Sequence, residues 1–185
     1  MKRLSSAFTL IELLISISVI AITLNLAIPS FSEIMDRSKV SANVQRLTQT
    51  LQFSRLKAIS SNHKVTMCPI NNRLVCSSDW STGYMSFVDN NGDRQYNDGD
   101  ELLNQYYSED EKFSLSWRAF GYKNSLQWTG TGITNHQNGS FELCYDNKAD
   151  KSRALFLTKA GRIRHSKDTD GDNIHENSTG GTISC

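Results

Sequence analysis

Ala7-Phe8-Thr9-Leu10-Ile11-Glu12 opens an apolar run that continues to Ile28 and follows two cations, Lys2 and Arg3. In an α-helix, a run of this length can span the hydrocarbon core of a bilayer. Glu12 is the one acidic residue within the run. Because an ionisable group inside a membrane segment costs about 3 kcal/mol even on lenient scales, Glu12 is a candidate functional residue.

Three kinds of segment compete to explain this start. An ordinary signal peptide has a basic n-region, which Lys2 and Arg3 supply, but Glu12 does not fit its apolar core and Asn25-Leu26-Ala27 is a poor cleavage site. A plain membrane anchor also leaves Glu12 unexplained. The third kind is cut before the apolar run, and Ala7-Phe8-Thr9-Leu10-Ile11-Glu12 resembles the prepilin peptidase site of type IV pilins and type II secretion pseudopilins.

This resemblance implies cleavage between Ala7 and Phe8 and N-methylation of Phe8. It also gives Pro29 the place of a helix-kinking proline. The chain departs from the family at Ala7, where a glycine is usual. Cleavage would create an amine one helical turn from Glu12, and pairing the two groups, within one chain or between neighbours, removes the cost of isolating either in an apolar medium.

Composition predicts an anchor followed by one globular domain. The formal net charge is only +1, and the mean hydropathy of -0.44 despite the apolar start indicates a strongly polar remainder. The cysteines all lie beyond residue 60, and an export signal favours two disulfides over a zinc site, for which the sequence has no CxxC. Four cysteines allow three pairings; Cys68 with Cys76 would close a short loop and leave Cys144 with Cys185.

The apolar periodicity predicts one helix from about Phe8 to Ser61. A stripe of apolar residues at helical spacing marks its buried face: Val40, Val44, Leu47, Leu51 and Ala58. Phe53 and Leu56 lie on nearly the opposite side. Either they pack on a neighbouring molecule or both faces are buried in one core, and the sequence leaves both alternatives open. A proline at position 29 should kink the helix or loosen it locally.

From His63 onward the apolar period changes to two, which predicts strands. The hairpin expected near the end has Lys159-Ala160-Gly161 as its turn. Antiparallel sheets packed on one amphipathic helix make an α+β domain. The predicted strands are 65–67, 84–88, 101–103, 113–117, 141–145, 153–158 and 162–165.

The order of the later motifs adds a narrower resemblance. After the helix come the cysteine-bracketed loop, Trp80-Ser81-Thr82-Gly83-Tyr84, Phe87-Val88-Asp89-Asn90-Asn91-Gly92, Glu101-Leu102-Leu103 and Gly161-Arg162-Ile163-Arg164. Together they resemble the GspH/FimT family of minor pilins and pseudopilins, in particular its FimU/FimT-like members. The resemblance implies a type IV pilin-like fold with a leader peptide at 1–7, a transmembrane and assembly helix at 8–29, its amphipathic continuation at 30–62 and a β-rich domain at 63–185.

Gly161-Arg162-Ile163-Arg164 resembles a DNA-binding motif of FimT proteins. On a strand, Arg162 and Arg164 would share one face while Ile163 points to the core. Paired guanidinium groups with neighbouring cations suit a phosphate backbone. The alternative is a solvated hairpin whose arginines pair with nearby aspartates. The tentative DNA-contacting set is Arg153, Lys159, Arg162, Arg164 and Lys167.

Two acidic loops suggest calcium, because alternating oxygen ligands around a glycine are typical of calcium sites. The first contains Asp89, Asn91, Asp93 and the segment 98–101. Neither loop completes an EF-hand, and residues of these types also form ordinary turns, so both interpretations stay open. The second loop contains Asp168, Asp170, Asp172 and Glu176.

No catalytic constellation or cofactor motif is visible, so we expect no enzyme and no cofactor apart from this calcium alternative. The resemblance implies a minor pilin of a type IV pilus, inserted through its N-terminal helix at or near the pilus tip to prime or complete assembly. The alternatives are a DNA-binding minor pilin for DNA uptake in natural transformation and a minor pseudopilin of a type II secretion system.

The expected partners are other minor and major pilins, prepilin peptidase, the inner-membrane assembly machinery and, for the second hypothesis, double-stranded DNA. The precursor is expected in the bacterial inner membrane as a single-pass protein with a periplasmic C-terminal domain. The mature chain is expected in the pilus or pseudopilus, at its tip.

Overall fold

One long helix, α1 (Leu10–Ser61), begins the described part of the chain. The computed structural model describes residues 9–71, 73–183 and 185, and only the backbone of residues 24–30. The predicted cleavage site between Ala7 and Phe8 and the side chain of Pro29 lie outside the described residues. Asn62 follows the helix in the left-handed conformation, with φ 54°, which asparagine tolerates at a helix C-terminus.

The first turn of α1 is capped by Thr9, a residue of the motif that resembles the prepilin peptidase site. The Thr9 hydroxyl accepts a hydrogen bond from the Glu12 backbone N–H at 3.3 Å, and the Thr9 carbonyl accepts one from Leu13 N–H at 3.2 Å. A threonine followed three residues later by a glutamate is the sequence of a capping box. Thr9 and Glu12 therefore also define where the helix begins.

Eight strands follow in two antiparallel four-stranded sheets. The first sheet has the order β3-β2-β1-β5 and the second the order β4-β6-β7-β8. The seven predicted strands are all present, and β5, which pairs with β1, is the one that the periodicity did not predict. The strands are β1 (Val65–Pro69), β2 (Gly83–Val88), β3 (Glu101–Tyr107), β4 (Phe113–Phe120), β5 (Leu126–Trp128), β6 (Asn138–Tyr145), β7 (Lys148–Leu157) and β8 (Ile163–His165).

The second half of α1 and both sheets share one hydrophobic core. Leu47, Leu51 and Ala58 are buried in it, as the helical stripe predicts. At its centre the Trp117 ring stacks on Phe141 with ring centroids 4.3 Å apart. Burying aromatic rings of this size contributes a large share of the stability of a small domain.

The side of α1 that faces away from the core is exposed. Phe53 is 48% exposed, Leu56 63% and Ile59 44%. The alternative in which both helix faces are buried in one core is therefore wrong for the described chain. Packing of Phe53 and Leu56 on a neighbouring molecule stays a prediction.

Both disulfides favoured by the cysteine positions are formed. Cys68 bonds to Cys76, and Cys144 bonds to Cys185. The first closes the loop after β1, and the second ties the C-terminus to β6. The C-terminal segment is thereby held against the second sheet.

Contacts divide the chain into two compact units, Met1–Lys39 and Val40–Cys185. In the first unit, the large apolar side chains from Leu10 to Ile22 are between 48% and 77% exposed. Within the part of the chain that the structure describes, no helix combines the length and apolar character needed to cross a membrane.

Candidate functional site

The hairpin between β7 and β8 positions Arg162, one of the predicted DNA-contacting arginines. Thr158 N–H donates to the Arg162 carbonyl at 3.1 Å, and Gly161 N–H donates to the Thr158 carbonyl at 2.9 Å. This closes the predicted three-residue turn, in which Gly161 has φ 77°. A Cβ on Gly161 would collide with the carbonyl of Gly132 and the guanidinium of Arg55. Glycine is therefore required by both backbone conformation and space.

The strand register brings Arg164 into line with an arginine that lies far away in sequence. Arg118 on β4 is paired with Ser140 on β6, Ser140 with Phe156 on β7, and Phe156 with Arg164 on β8. Residues paired in this way share one face of a sheet. With strands about 4.8 Å apart, the two arginine Cα atoms lie roughly 14 Å apart across the sheet. Ile163 points to the core and is partly buried there.

This face of the second sheet forms a cleft of about 790 Å³. Three arginines contribute to it, which are Arg118, Arg162 and Arg164, and neutral polar side chains such as Ser140 and Asn138 line it between them. We call this site the basic cleft. Its remaining lining residues are Phe120, Gly139, Glu142, Phe156, Leu157, Thr158, Asn177, Ser178 and Thr179.

One carboxylate neutralises part of the positive charge. Arg118 Nε lies 3.0 Å from Glu142 Oε2, and the Glu142 side chain is only 6% exposed. A buried carboxylate needs such a partner, because an unpaired charge away from water is costly. Arg118 is therefore an ion-paired member of the basic cleft.

Arg162 and Arg164 remain exposed on the cleft face. The Arg164 guanidinium lies 4.9 Å from the centroid of the Phe156 ring, a cation–π contact. Among the residues that the structure describes, neither arginine forms an ion pair, so the predicted alternative pairing with Asp168, Asp170 or Asp172 is not formed. The two guanidinium groups are therefore available to pair with an external anion.

The other residues of the tentative set are not all in the cleft. Lys159 lies at its edge, with Nζ 5.8 Å from the centroid of the Phe120 ring. Arg153 instead lines a separate depression with His165 and His175 against α1. Lys167 is exposed but does not line the cleft. Two further cleft residues, Arg118 and Phe120, were missed by sequence reasoning because only the strand register brings them here.

The depression at Arg153 contains a histidine with a perturbed pKa. Burial lowers the pKa of His175, and the nearby charge of Arg153 lowers it further. His175 Nδ1 lies 3.0 Å from the Ser166 hydroxyl. Neutral imidazole is therefore the favoured form in the folded chain.

The second acidic loop brings three of its four predicted ligands together. Carboxylate oxygens of Asp168, Asp170 and Glu176 all lie within 4.8 Å of one another, and Asp172 is outside this group. These oxygens also cap turns: both oxygens of Glu176 accept from Thr169 N–H, at 3.0 and 3.1 Å, and this lowers the pKa of Glu176. The turn-forming role is therefore present, and a calcium site here stays a prediction.

The first acidic loop is organised around a buried carboxylate. Asp89 is 1% exposed. Its oxygens accept hydrogen bonds from the Thr66 hydroxyl at 2.7 Å, from Gln127 Nε2 at 2.7 Å and from Arg94 N–H at 3.0 Å. Gly92 N–H donates to it at 2.7 Å as well. These donors satisfy Asp89 within the fold, so its position is explained without a metal ion.

Glu12 lies in the first turn of α1 and is exposed. A carboxylate at this position is favoured by the partial positive charge of the helix N-terminus. Its predicted partner, the amine of Phe8 after cleavage, lies outside the described residues. The assembly role of Glu12 therefore stays a prediction.

Comparison with known proteins supports both parts of the chain. The family model "Type II transport protein GspH" matches residues 43–161, and the "Prokaryotic N-terminal methylation motif" matches residues 2–24. No curated protein sequence matches the chain. The motif implies a membrane-anchored precursor.

Two crystal structures of the type IV minor pilin FimU from Pseudomonas aeruginosa strain PAO1 are similar to this fold. One has a TM-score of 0.56 and 20% identity over 71% of this chain and 90% of FimU. The other has a TM-score of 0.53 and 20% identity over 69% and 92%. The predicted α+β, type IV pilin-like fold is thus confirmed. Because the GspH model covers well over half of the sequence, the chain belongs to the GspH family of structural minor pilins and pseudopilins.

Proposed function

We propose that this chain is a minor pilin of a type IV pilus, inserted through its N-terminal helix at or near the pilus tip to prime or complete assembly. The observation that carries the proposal is the exposed apolar surface of α1, whose side chains from Leu10 to Ile22 include one acid, Glu12. Water does not favour so continuous an apolar surface. Lipid covers it in the precursor at the inner membrane, and neighbouring pilin helices cover it in the filament.

Glu12 gives this packing its register. Prepilin peptidase cuts between Ala7 and Phe8, and the new N-methylated amine of a neighbouring subunit pairs with the Glu12 carboxylate. A charge in an apolar surrounding is strongly unfavourable without a partner, so subunits seat where both charges are satisfied. Other minor and major pilins are the partners. The polar unit from Val40 to Cys185 lies in the periplasm before assembly and disfavours filament growth beyond it, which favours the tip.

The experiment compares Glu12→Gln with Glu33→Gln in cells that make pili. Glu33 is a matched control, because it is an exposed glutamate of the same helix that forms only a surface ion pair with Arg37, at 2.7 Å. We expect both variants to accumulate in the inner membrane, and Glu12→Gln alone to be lost from sheared filaments. Equal incorporation of the two variants would contradict the proposal.

The description of the family model refers to type II transport, and a secretion pseudopilus is accordingly the alternative location. Deleting the gene distinguishes the two. A minor pilin of the pilus lowers the number of surface pili when deleted, whereas a pseudopilin blocks export of folded proteins and leaves pili intact. The second outcome would move this chain to the secretion system.

A second candidate function is DNA binding for natural transformation, favoured by the basic cleft. Arg162 and Arg164 are exposed on one face without an ion pair among the described residues, and Lys159 lies at the edge. Such a surface attracts a phosphate backbone without reading its sequence. Titration of labelled duplex DNA with the full-length chain in detergent tests this role. Loss of binding in Arg162→Gln/Arg164→Gln supports it, and unchanged binding in that variant excludes the cleft.

A further inference from the structure

An exposed aromatic ring stands in the basic cleft beside the arginines. Phe120, at the end of β4, is 71% exposed and pairs with Asn138 across to β6. The other aromatic residue of the cleft, Phe156, is 9% exposed and packs with Ala154 and Ile183. The Phe156 ring is thus packed within the fold, whereas the Phe120 ring is accessible to a ligand in the cleft.

The surroundings of Phe120 suit a nucleotide better than an apolar ligand. Lys159 lies over the ring, and the arginines stand further along the same face. The side chains of Asn138, Ser140 and Thr158 supply neutral donors and acceptors between them. A base stacked on the ring would therefore keep its phosphates near cations and its edges near hydrogen-bonding groups.

A duplex cannot use this ring, because its bases are stacked on one another and their faces are hidden. A single strand exposes base faces, and sheets that combine aromatic side chains with a basic groove bind single strands by stacking. We propose that the basic cleft binds single-stranded nucleic acid, with Phe120 as the surface on which a base stacks. This inference rests on the DNA-binding candidate function and adds to it the form of nucleic acid that is bound.

The test measures binding of the full-length chain in detergent to three labelled DNA oligonucleotides, each 12 nucleotides long. They are a single strand, the corresponding duplex and an abasic single strand. The variants are Phe120→Ala and Phe120→Leu, which remove the aromatic face, and Arg162→Gln/Arg164→Gln, which removes cleft charge. Stacking of one base on an aromatic side chain corresponds to roughly 5- to 150-fold in affinity. We expect both Phe120 variants to lose that much for the single strand and nothing for the abasic strand or the duplex.

The results separate the two proposals. Duplex binding that depends on the arginines, together with single-strand binding unaffected by both Phe120 variants, would overturn the stacking inference and leave the DNA-binding candidate standing. Absence of binding to all three 12-mers at low salt would overturn both. Equal losses for the intact and abasic strands would also overturn stacking, since the abasic strand has no base to stack. Unchanged tryptophan fluorescence shows that each variant is folded.

Discussion

Replacing Glu142 with Gln should strengthen nucleic-acid binding by the basic cleft, because the buried Glu142 carboxylate pairs with Arg118 and offsets its charge. Glu142 Oε2 lies 3.0 Å from Arg118 Nε, so Arg118 now contributes little net charge. Glutamine has nearly the same shape as glutamate but carries no charge, so the ion pair with Arg118 is lost while the space is still filled. The Arg118 side chain is 58% exposed and can turn to a phosphate. The substitution therefore adds one effective cation to the cleft.

The magnitude follows from counterion release. Each phosphate contact on a duplex contributes about −0.9 to the slope of log K against log salt. Glu142→Gln should therefore steepen the slope by about 0.9, and Arg162→Gln/Arg164→Gln should make it shallower by about 1.8. When the salt concentration rises from 50 to 200 mM, the affinity of Glu142→Gln for the duplex should fall roughly 3.5-fold more than that of the unsubstituted chain. The affinity of Arg162→Gln/Arg164→Gln should fall roughly 12-fold less.

The assay is fluorescence anisotropy of a labelled duplex over that salt range, with the full-length chain in detergent. Arg73→Gln/Lys112→Gln is the matched control, because both residues are exposed and neither lines the cleft. An unchanged or shallower slope in Glu142→Gln would refute the reasoning. So would a control slope that shifts as much as that of the arginine variant.

Further predictions concern stability. In the chain-entropy model, removing the Cys144–Cys185 bond, with a sequence separation of 41, costs about 4 kcal/mol. Removing Cys68–Cys76, with a separation of 8, costs about 2.5 kcal/mol. Urea unfolding of the two double-alanine variants checks this order, and the reverse order would contradict it. The pKa of His175 in the folded chain lies below its unfolded value near 6.5, so the unfolded state binds more protons between the two values. The contribution of His175 to folding stability is therefore complete above about pH 6.5 and is lost as the pH falls through the folded pKa. His175→Asn should weaken this dependence in unfolding series at pH 7.5 and 5.0, and an unaltered dependence would reject the assignment.

The helix and most strands could be predicted because their signals are local. Leu47, Leu51 and Ala58 recur at helical spacing, and the structure buries them all. The turn at Lys159–Gly161 is likewise set by a glycine with a left-handed conformation. The Cys68–Cys76 bond closes a short loop, so its spacing also indicated it.

The cleft could be predicted only in part, because strand register is not local. Arg118 and Arg164 are 46 positions apart in the sequence, and three strand pairings bring them to one row. Arg153 was grouped with the arginines because it is close in sequence, yet alternation along β7 directs it to the other side of the sheet. Strand β5 has only three residues, Leu126–Trp128, and owes its conformation to pairing with β1.

Mass spectrometry of the chain purified from its natural filaments determines the mature N-terminus on which the pilin assignment depends. We expect a mature N-terminus at an N-methylated Phe8, with residues 1–7 removed. An intact leader would leave Glu12 without a newly formed amine to pair with, and an N-terminus at Ile28 or later would mean that Glu12 itself has been removed; either result would contradict the pilin assignment.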